Sequence, residues 1–277
     1  KSSFTSLDLS GLSILLDCAN GATYSVAPKV FSELGAKVEL IGASPDGINI
    51  NKNCGSTSPN FLKEEIIKGS YDIGIAFDGD GDRILIVTSD GEILDGDDIL
   101  YILSNNFDKD SGVVGTLMTN KALEMHFKKN NIPFCRADVG DKYVLHKLIE
   151  ESWLLGGEPS GHIICLDSAP TGDAIIAALK ILESIKYKNF SLEKSLEGFE
   201  KFPQTLINLK VNNPNKIIIS DKFWSKVTQI EKELGDNGRV LIRPSGTEPL
   251  VRIMVESNDV STSEDMCNAL ADLAQII

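Results

Sequence analysis

Short apolar runs alternate with amphipathic stretches over most of the chain, and this alternation predicts strands and helices in turn. In the first part, the predicted strands and helices occupy residues 12–16, 26–34, 38–41, 59–67 and 73–77. The apolar runs 84–88 and 92–94 flank Ser89-Asp90-Gly91 and predict a hairpin. Such alternation favours a three-layer α/β unit.

The order of strand, turn and helix returns after Gly112, and the pattern changes again near Leu206. The last stretch has predicted strands at 206–211, 239–243 and 250–256, and predicted helices at 220–234 and from 261 onward. We therefore predict an α/β fold class. It comprises two three-layer α/β/α domains, at 1–108 and 109–204, followed by a smaller α+β domain at 205–277.

Three helix starts have recognisable signals. Ser58 precedes a proline, which is favoured in the first helical turn, so Ser58 is predicted as an N-cap. Asp97 is expected to open a helix that ends near Leu103. Ser261 and Glu264 have the spacing of a capping box and predict the start of the last helix.

The segment Asp78-Gly79-Asp80-Gly81-Asp82, followed by Arg83, is the most informative one for chemistry. It follows the apolar run 73–77, so three carboxylates lie on a loop at the end of a buried strand. Side chains two residues apart on an extended chain are roughly 6.5 Å apart, whereas two oxygens on one Mg²⁺ ion are at most about 4.2 Å apart. The loop therefore has to curl, which its glycines permit because glycine tolerates positive φ. The three aspartates are thus predicted to bind a divalent cation, and oxygen ligands without nearby His or Cys favour Mg²⁺.

Two other kinds of loop share part of this pattern. An EF-hand needs glycine at loop position six and glutamate at position twelve. This chain has Arg83 and Ser89 there, so an EF-hand is excluded. A phosphatase loop with an aspartyl nucleophile also follows a buried strand, but it would have Thr or Val in place of Asp82 and fits less well. An acidic turn in water is the remaining alternative.

Composition narrows the choice of partners. The chain has 277 residues, 42% of them hydrophobic, and a formal net charge of −13. No basic stretch is longer than a Lys-Lys pair, which argues against nucleic acid and anionic membranes as general partners. A small phosphorylated substrate is compatible with this charge, because a few local Arg and Lys side chains suffice to bind it. No apolar span has the length of a transmembrane helix.

The five cysteines are scattered and include no C-x-x-C pair, which is typical of a reduced cytosolic protein rather than of a disulfide or zinc framework. They are Cys18, Cys54, Cys135, Cys165 and Cys267. No signal peptide is recognisable, so a cytoplasmic location is expected. The chain begins at Lys1 without an initiator methionine, as expected of a processed chain or of a piece of a longer protein.

The segment from Arg243 to Pro249, with Arg252 on the next strand, is suited to an anion. Arginine supplies planar, bidentate donors for phosphate oxygens. Ser245 and Thr247 add hydroxyl donors, and Gly246 lets backbone N–H groups approach closely. The sequence therefore predicts a phosphate-binding loop, the alternative being a hairpin loop with an incidental basic flank. It has no G-x-x-x-x-G-K-[ST] pattern and is not a nucleotide P-loop.

The segment 156–162 leads into a predicted strand, and its Glu158, Ser160 and His162 occupy alternate positions. A carboxylate and a hydroxyl on one side of a chain suit sugar hydroxyls, whereas the alternative is a structural turn with a solvated glutamate. His162 alone is more often a packed histidine than a catalyst. Lys142, at a strand-to-helix junction, is either a phosphate or proton-transfer residue or a solvated lysine at a helix start.

Four motifs in this order resemble those of the α-D-phosphohexomutases. They are Asp17-Cys-Ala-Asn-Gly-Ala22, Phe77-Asp-Gly-Asp-Gly-Asp-Arg83, Gly157-Glu-Pro-Ser-Gly-His162 and Arg243-Pro-Ser-Gly-Thr-Glu-Pro249. The resemblance runs from about Leu7 to the C-terminus. It corresponds to the second, third and fourth domains of that four-domain family.

The resemblance implies roles for residues in these motifs. The implied Mg²⁺ ligands are Asp78, Asp80 and Asp82. Arg83 is implied to hold the transferring phosphoryl group, and Glu158 and Ser160 to contact the sugar hydroxyls. The residues implied to bind the phosphate that is not transferred are Arg243, Ser245, Gly246, Thr247 and Arg252. His162 and Lys142 are lesser candidates for proton transfer or phosphate contact.

This sequence departs from the family at one important place. The family's phosphorylated serine lies in a first-domain motif like Ser-His-Asn-Pro, and no such motif occurs here. That serine supplies the phosphoryl group and a fourth metal ligand, so this polypeptide by itself is expected to lack turnover and to need an N-terminal serine domain. Pro159 also differs from the residues typical of either the glucosamine branch or the mannose and glucose branches.

The implied reaction is Mg²⁺-dependent phosphoryl transfer through a sugar bisphosphate. The expected substrates are glucosamine 6-phosphate and glucosamine 1-phosphate, in the amino-sugar metabolism that supplies cell-wall precursors. Mannose or glucose phosphates are the alternative substrates, and a non-catalytic sugar-phosphate binding module is the alternative class. The oligomeric state stays open, with a homodimer among the options.

Overall fold

The computed structural model describes residues 4–106, 111–188, 191–245 and 248–277. The chain forms two compact units: the first comprises Lys1–Thr119 and Phe127–Phe199, and the second comprises Asn120–His126 and Glu200–Ile277. Among the helices of the described ranges, none combines the length and the apolar character needed to cross a membrane.

The first unit begins with a five-stranded sheet. Its strands are β1 (Ser13–Asp17), β2 (Lys37–Ile41), β3 (Ile73–Phe77), β4 (Ile84–Thr88) and β5 (Ile93–Leu94). They lie in the order β2-β1-β3-β4-β5, with β1, β2 and β3 parallel and β4 and β5 antiparallel. Every residue of β3 and β4 is buried, as in strands covered on both faces. The predicted strand at 73–77 and the predicted hairpin are confirmed.

Three helices accompany this sheet. They are α1 (Ala27–Glu33), α2 (Asn60–Lys68) and α3 (Gly96–Ser104). Leu62 and Ile66 of α2 are buried against Leu15, Ala76 and Val87 of the sheet. Burial of such an apolar stripe, rather than local propensity, is the main source of helix stability in a folded protein.

A four-stranded sheet forms the other part of the first unit. The elements from residue 113 to residue 188 are β6 (Val113–Thr116), α4 (Lys121–Lys129), β7 (Phe134–Ala137), α5 (Asp141–Glu151), β8 (Leu155–Gly157), β9 (Ile163–Cys165) and α6 (Ala174–Lys188). Residues 121–126 of α4 belong to the second unit. The strand order is β7-β6-β8-β9, and only β9 is antiparallel to its neighbour. Val144 and Leu148 of α5 pack on Val114 and Ile164 of this sheet. Helix α6 contacts both β4 and β9, and α3 contacts α6 and β8, so these two helices lie between the two sheets.

The second unit contains a three-stranded antiparallel sheet. Its elements are β10 (Gln204–Lys210), α7 (Pro214–Ile218), α8 (Asp221–Leu234), β11 (Gly238–Pro244), β12 (Leu250–Ser257) and α9 (Val260–Gln275). The strand order is β10-β12-β11. Val227 and Ile230 of α8 and Leu270 of α9 share one core with Val251 and Ile253 of β12. One face of the sheet is therefore covered by helices, and the short helix α7 was not predicted.

The predicted starts of α2 and α9 are wrong in detail. Pro59 itself is the N-cap of α2, which has no side-chain capping bond, so Ser58 does not cap it. Helix α9 is capped by Asp259, whose carboxylate accepts a backbone hydrogen bond. The predicted box of Ser261 and Glu264 therefore lies inside the helix rather than at its start.

The start of α3 also differs from the prediction. Asp95 is the N-cap, and Asp97 lies inside the helix. Asp95 accepts from the backbone of Asp98, and the Asp98 side chain accepts from the backbone of Asp95. This reciprocal pair is a capping box, and it satisfies two helix-end donors.

The five cysteines are free thiols, and four of them are buried. Burial raises the pKa of Cys18 to about 11 and that of Cys165 to about 12. These thiols are therefore protonated near neutral pH and poor nucleophiles.

Candidate active site

The acidic loop, residues 78–83, joins β3 to β4 at the carboxyl end of β3 and brings its three aspartates together. Asp78, Asp80 and Asp82 each offer a carboxylate oxygen, and these oxygens all lie within 4.8 Å of one another. Two oxygens on one Mg²⁺ ion are at most about 4.2 Å apart, so oxygens that all lie within 4.8 Å of one another are near enough to be gathered by one ion. Asp78 is buried, Asp82 is half-buried and Asp80 is exposed, so the group faces outward from the strand end.

Asp78 folds the loop around its own carboxylate. Its Oδ1 atom accepts hydrogen bonds from the backbone N–H groups of Gly81, Asp82 and Arg83, each at 3.1 Å. Gly81 has a φ of +80°, a conformation that favours glycine. The chain therefore curls as the sequence predicts, and the Asp78 Oδ2 atom is left outside this backbone network.

The charges of the loop are only partly balanced. Burial raises the pKa of the Asp78 carboxyl, and the neighbouring Asp82 raises it further. The Arg83 Nε atom lies 4.0 Å from Asp78 Oδ2 and 3.9 Å from Asp82 Oδ1. Among the atoms that the structure describes, Asp82 Oδ1 is buried and has no hydrogen-bond partner. A cation at this place would offset both the burial and the mutual repulsion of the carboxylates.

The turn after β1 supports the acidic loop. Parallel strands have their carboxyl ends at the same sheet edge, and the Ala22 N–H donates to the Gly79 carbonyl at 2.8 Å. A Cβ atom at Gly21 would lie 2.3 Å from that carbonyl oxygen, so the approach requires glycine. Asp17, which is fully buried, accepts from the Gly55 N–H at 2.7 Å and joins this turn to the next loop. The motif that begins at Asp17 therefore packs against the acidic loop and supports its backbone.

The segment 156–162, predicted to contact a sugar and named the sugar loop, is hydrogen-bonded to residues of and beside the acidic loop. The Ile84 N–H donates to the Gly161 carbonyl at 3.0 Å, and the Ala174 N–H donates to the Gly81 carbonyl at 3.0 Å. The His162 Nδ1 atom lies 3.1 Å from Asp82 Oδ2. Segments far apart in sequence are therefore held together by both backbone and side-chain bonds.

Replacing Gly161 by alanine is expected to destabilise this junction. Gly161 has a φ of +91°, and a Cβ atom there would lie 2.0 Å from the Ile84 carbonyl oxygen. The strained backbone alone costs about 1–3 kcal/mol, and displacement of the carbonyl adds to it. Urea unfolding of the variant and of the original chain would measure the difference in free energy.

Gly47→Ala provides a matched control for that experiment. Gly47 has the same φ of +91°, but nothing lies within 4 Å of the added Cβ atom. The Gly47 variant should therefore show the backbone strain without the clash. Equal losses of unfolding free energy in the two variants would contradict the importance of the Gly161–Ile84 contact.

Glu158 and Ser160 differ in their environments. Glu158 is only 8% exposed, and its Oε1 atom accepts from the Gly140 N–H at 2.9 Å. Ser160 is exposed. The Gly161 N–H donates to the Glu158 carbonyl at 3.0 Å, so this segment is a tight turn and the extended geometry assumed from the sequence is wrong. Glu158 is accordingly not the solvated glutamate of a simple surface turn.

Lys142 lies in the first turn of α5 and is exposed. Its Nζ atom lies 4.7 Å from the centroid of the Tyr143 ring, a cation–π distance. The Gly140 N–H that Glu158 binds lies just before this helix. The structure therefore connects the segment before Lys142 to the sugar loop through a hydrogen bond from the Gly140 backbone to the Glu158 side chain.

The loop at residues 243–249 of the second unit, predicted to bind phosphate and named the phosphate loop, is flanked by two arginines on neighbouring strands. Arg243 of β11 and Arg252 of β12 are directly opposite each other in the antiparallel register. Like charges directly opposite on neighbouring strands repel, and neither side chain has a hydrogen bond or ion pair with the described residues. The Ser245 hydroxyl accepts from the Glu248 N–H at 3.2 Å, whereas Gly246 and Thr247 lie outside the described residues.

A third arginine of the same sheet is paired instead. Arg239 donates from Nε and Nη2 to the two carboxylate oxygens of Glu256, at 2.6 and 2.9 Å. Glu256 is fully buried and also accepts from Gln204 and from the Lys121 N–H. Sequence reasoning missed this network, although Glu256, a carboxylate that directly follows the apolar run 253–255 of β12, was a signal for it. Both carboxylate oxygens of Glu256 accept hydrogen bonds, whereas the side chains of Arg243 and Arg252 have no partner among the described residues.

Three family models together match almost the whole chain. The phosphoglucomutase/phosphomannomutase alpha/beta/alpha domain II matches residues 1–91, domain III matches 95–202, and the C-terminal domain matches 206–273. The chain therefore belongs to the phosphoglucomutase/phosphomannomutase family. The predicted fold class, two α/β/α domains followed by a smaller domain, is confirmed, as is the resemblance to the phosphohexomutases.

Two curated proteins are similar to almost the whole chain. The phosphoglucosamine mutase of Legionella pneumophila strain Corby is 49% identical over 98% of this chain and 61% of its own length. That of Aliivibrio fischeri strain ES114 is 47% identical over 98% of this chain and 62% of its own length. The chain thus spans about three fifths of the length of the curated relatives that it matches.

Solved structures share the fold. Aspergillus fumigatus N-acetylphosphoglucosamine mutase, in complex with GlcNAc-6P and magnesium, has a TM-score of 0.79 at 20% identity, over 98% of this chain and 67% of that one. A phosphoglucomutase/phosphomannomutase family protein from Burkholderia thailandensis has a TM-score of 0.80 at 24% identity, over 97% of this chain and 62% of that one. At 20% and 24% identity, the similarity to these two structures shows a shared fold.

Proposed function

We propose that this chain is the larger part of a phosphosugar mutase that interconverts glucosamine 6-phosphate and glucosamine 1-phosphate. The observation that carries the proposal is the convergence of Asp78, Asp80 and Asp82 at the end of β3. The identity of 49% to a phosphoglucosamine mutase supports the choice of sugar. The proposal includes domains at 1–108, 109–204 and 205–277, and a cytoplasmic location, which the free thiols support.

The donor set fits Mg²⁺. Three carboxylates with no His or Cys in the group are hard oxygen ligands. The buried, unbonded Oδ1 atom of Asp82 is the kind of oxygen that a cation would satisfy. When bound, Mg²⁺ would offset negative charge on the transferring phosphoryl oxygens.

The chain's own residues would orient the phosphoryl group. Asp78 holds the loop in its curled form through three backbone hydrogen bonds. Arg83 lies within 4.0 Å of the Asp78 and Asp82 carboxylates and is 46% exposed, so its guanidinium has room to donate to phosphoryl oxygens. His162 and Lys142 complete this group as candidates for proton transfer or phosphate contact.

Glu158 and Ser160 are proposed to contact the sugar hydroxyls. Glu158 Oε1 is used by the Gly140 N–H, whereas Oε2 has no partner among the described residues and is free to accept from a hydroxyl. The exposed Ser160 hydroxyl both donates and accepts. A buried carboxylate held at one oxygen by backbone is a rigid acceptor, which favours a defined sugar orientation.

The phosphate loop is proposed to bind the phosphate that is not being transferred. Arg243 and Arg252 repel each other unless an anion lies between their charges. The proposed binding residues of this loop are Arg243, Ser245, Gly246, Thr247 and Arg252. The proposed reaction passes through a sugar bisphosphate that reorients by about half a turn between two phosphoryl transfers.

Turnover further requires a phosphoryl donor, proposed to be a serine in a preceding domain. To test the function, the segment of the Legionella pneumophila relative that precedes the matched region would be fused before Lys1. The fusion would then be assayed for conversion of glucosamine 6-phosphate to glucosamine 1-phosphate with Mg²⁺. We expect Mg²⁺-dependent turnover, and its loss when EDTA removes the metal.

The same assay separates the alternatives. Higher kcat/KM for mannose or glucose phosphates would assign the chain to another branch of the family. Binding of glucosamine 6-phosphate without turnover by the folded fusion would indicate a sugar-phosphate binding module. Absence of both binding and turnover would overturn the proposal.

A further inference from the structure

Strand β10 brings two polar side chains beside the arginines of the phosphate loop. In the antiparallel register Asn208 lies directly opposite Arg252, which in turn lies opposite Arg243. Lys210 has the same side of β10 as Asn208, because side chains two residues apart on a strand point to one face. It lies opposite Leu250, the first residue of β12 after the loop. Strand β10 therefore borders the loop on the side away from β11.

These polar side chains lie on the face of the sheet that points away from α8 and α9. The alternate residues, Leu209 of β10 and Val251 of β12, belong to the core that those helices cover. Asn208, Lys210 and Arg252 are exposed, whereas Leu209 and Val251 are buried. The two residues of β10 thus share a face with the arginines rather than with the core.

The end of β10 is fixed to the loop by its backbone. Directly after Lys210, the Val211 N–H donates to the Pro249 carbonyl at 3.0 Å. Diagonal neighbours on adjacent antiparallel strands are about 7–8 Å apart, which is within reach of long side chains. Lys210 is such a neighbour of Arg252. An anion held by Arg252 is therefore within reach of the Lys210 side chain.

The charges at this end of the face are positive and not balanced by acids of the same face. Neither Lys210 nor Asn208 has a hydrogen bond or ion pair with the described residues. The carboxylate of this face, Glu256, lies four residues along β12 from Arg252, is fully buried and binds Arg239.

The number of cations matters for an acidic chain. A phosphate monoester carries about 1.5 to 2 negative charges near pH 7, so Arg243 and Arg252 alone would only neutralise it. A third cation at Lys210 leaves the place net positive. A local excess of positive charge favours an anion where the whole chain has a formal net charge of −13.

We propose that β10 is part of the phosphate site: the Lys210 ammonium and the Asn208 amide donate hydrogen bonds to the same phosphate monoester that Arg243 and Arg252 bind. The proposal rests on the proposed function of the phosphate loop. An amide at position 208 is neutral, whereas a carboxylate directly opposite Arg252 would pair with the arginine and occupy it. Asn208 therefore leaves Arg252 available to the anion.

The test is calorimetric titration of the chain with inorganic phosphate and with glucosamine 6-phosphate. Lys210→Gln should weaken binding of both ligands roughly 10-fold or more, because it removes a charged hydrogen-bond donor. Lys210→Arg keeps the charge and should retain most of the affinity. Lys232→Gln removes the same charge from an exposed position of α8, on the helical side of the sheet, and should leave the affinity unchanged.

Asn208→Asp gives a second readout that a merely structural role would not produce. The new carboxylate lies opposite Arg252 and forms a cross-strand ion pair, so the urea midpoint of unfolding should rise. The same change should weaken phosphate binding at least about 10-fold, since the carboxylate repels the anion and occupies the arginine. Asn237→Asp adds the same charge at an exposed position just before β11, at the opposite end of that strand from Arg243, and should leave the affinity unchanged.

The outcomes distinguish this inference from the function on which it rests. If the original chain binds neither inorganic phosphate nor glucosamine 6-phosphate, the phosphate loop and the role of β10 are both wrong. If Arg243→Gln loses affinity while Lys210→Gln and Asn208→Asp keep it, the loop stands and the role of β10 is overturned. Equal weakening by Lys210→Gln and Lys232→Gln reveals a general effect of charge and overturns it as well. Weak binding by Lys210→Gln with recovery by Lys210→Arg, and by Asn208→Asp at undiminished stability, supports it.

Discussion

Replacing Asp80 by asparagine is expected to abolish measurable Mg²⁺ binding and, in the active fusion, mutase turnover. Asp80 is the exposed member of the aspartate trio. Among the described residues, the backbone N–H groups that hold the loop in its curled form donate to Asp78 rather than to Asp80. The substitution therefore removes one anionic metal ligand without unfolding the loop. The loss should exceed the roughly 10- to 100-fold effect of residues that only support a ligand.

The measurement is Mn²⁺ and Mg²⁺ titration of the variant, followed by the turnover assay. Asp265→Asn is the matched control, because Asp265 is exposed on α9 and the charge change is the same. Its metal affinity should equal that of the original chain. Retention of full metal affinity by Asp80→Asn would show that the trio does not act as one site.

Replacing Arg243 by glutamine is expected to weaken binding of glucosamine 6-phosphate by the chain. A hydrogen bond between charged groups contributes about 1.5–3 kcal/mol, which is roughly 10- to 150-fold in dissociation constant. Lysine at this position keeps the charge but not the bidentate fork. The affinity of Arg243→Lys should therefore lie between those of the original chain and of Arg243→Gln. Calorimetric titration with glucosamine 6-phosphate and with glucosamine separates phosphate binding from sugar binding.

Folding stability provides a second readout for the same change. Because Arg243 and Arg252 are opposite like charges, Arg243→Gln should not lower the free energy of unfolding. Lys222→Gln, at an exposed position of α8, is the charge-matched control and should leave the affinity unchanged. An unchanged affinity in Arg243→Gln would remove this arginine from the phosphate site.

Much of the fold follows from local pattern. The predicted strand 73–77 has the same bounds as β3 in the structure. A continuous apolar stretch bounded by turn residues is typical of a strand covered on both faces. The curl of the acidic loop also follows locally, since three alternating aspartates on one ion need glycine between them, and Gly81 has the positive φ that this requires.

Helix starts were harder to predict because several residues near each start are able to cap. At α9 both Asp259 and Ser261 are good capping residues. The choice depends on which residue has extended backbone dihedrals as the chain leaves β12, and Asp259 has them, with φ −130° and ψ 130°. That entry angle is a property of tertiary packing and is not encoded in the capping pattern.

The contacts that organise the candidate site were also beyond sequence reasoning. His162 and Asp82 are separated by 80 positions, and only the docking of the sugar loop on the acidic loop brings them to 3.1 Å. Glu158 likewise contacts Gly140, a residue of another segment. Residue types and motif order predicted the members of the group, whereas their partners depend on how the two sheets of the first unit pack.

The most direct test of the account is a crystal structure of the chain grown with Mg²⁺, with a matching Mn²⁺ crystal to identify the ion by its anomalous signal. The account predicts one ion bound by carboxylate oxygens of Asp78, Asp80 and Asp82 at about 2.1 Å, with Asp82 Oδ1 among them. An ion bound elsewhere, or carboxylates turned apart into solvent in the presence of saturating metal, would contradict it.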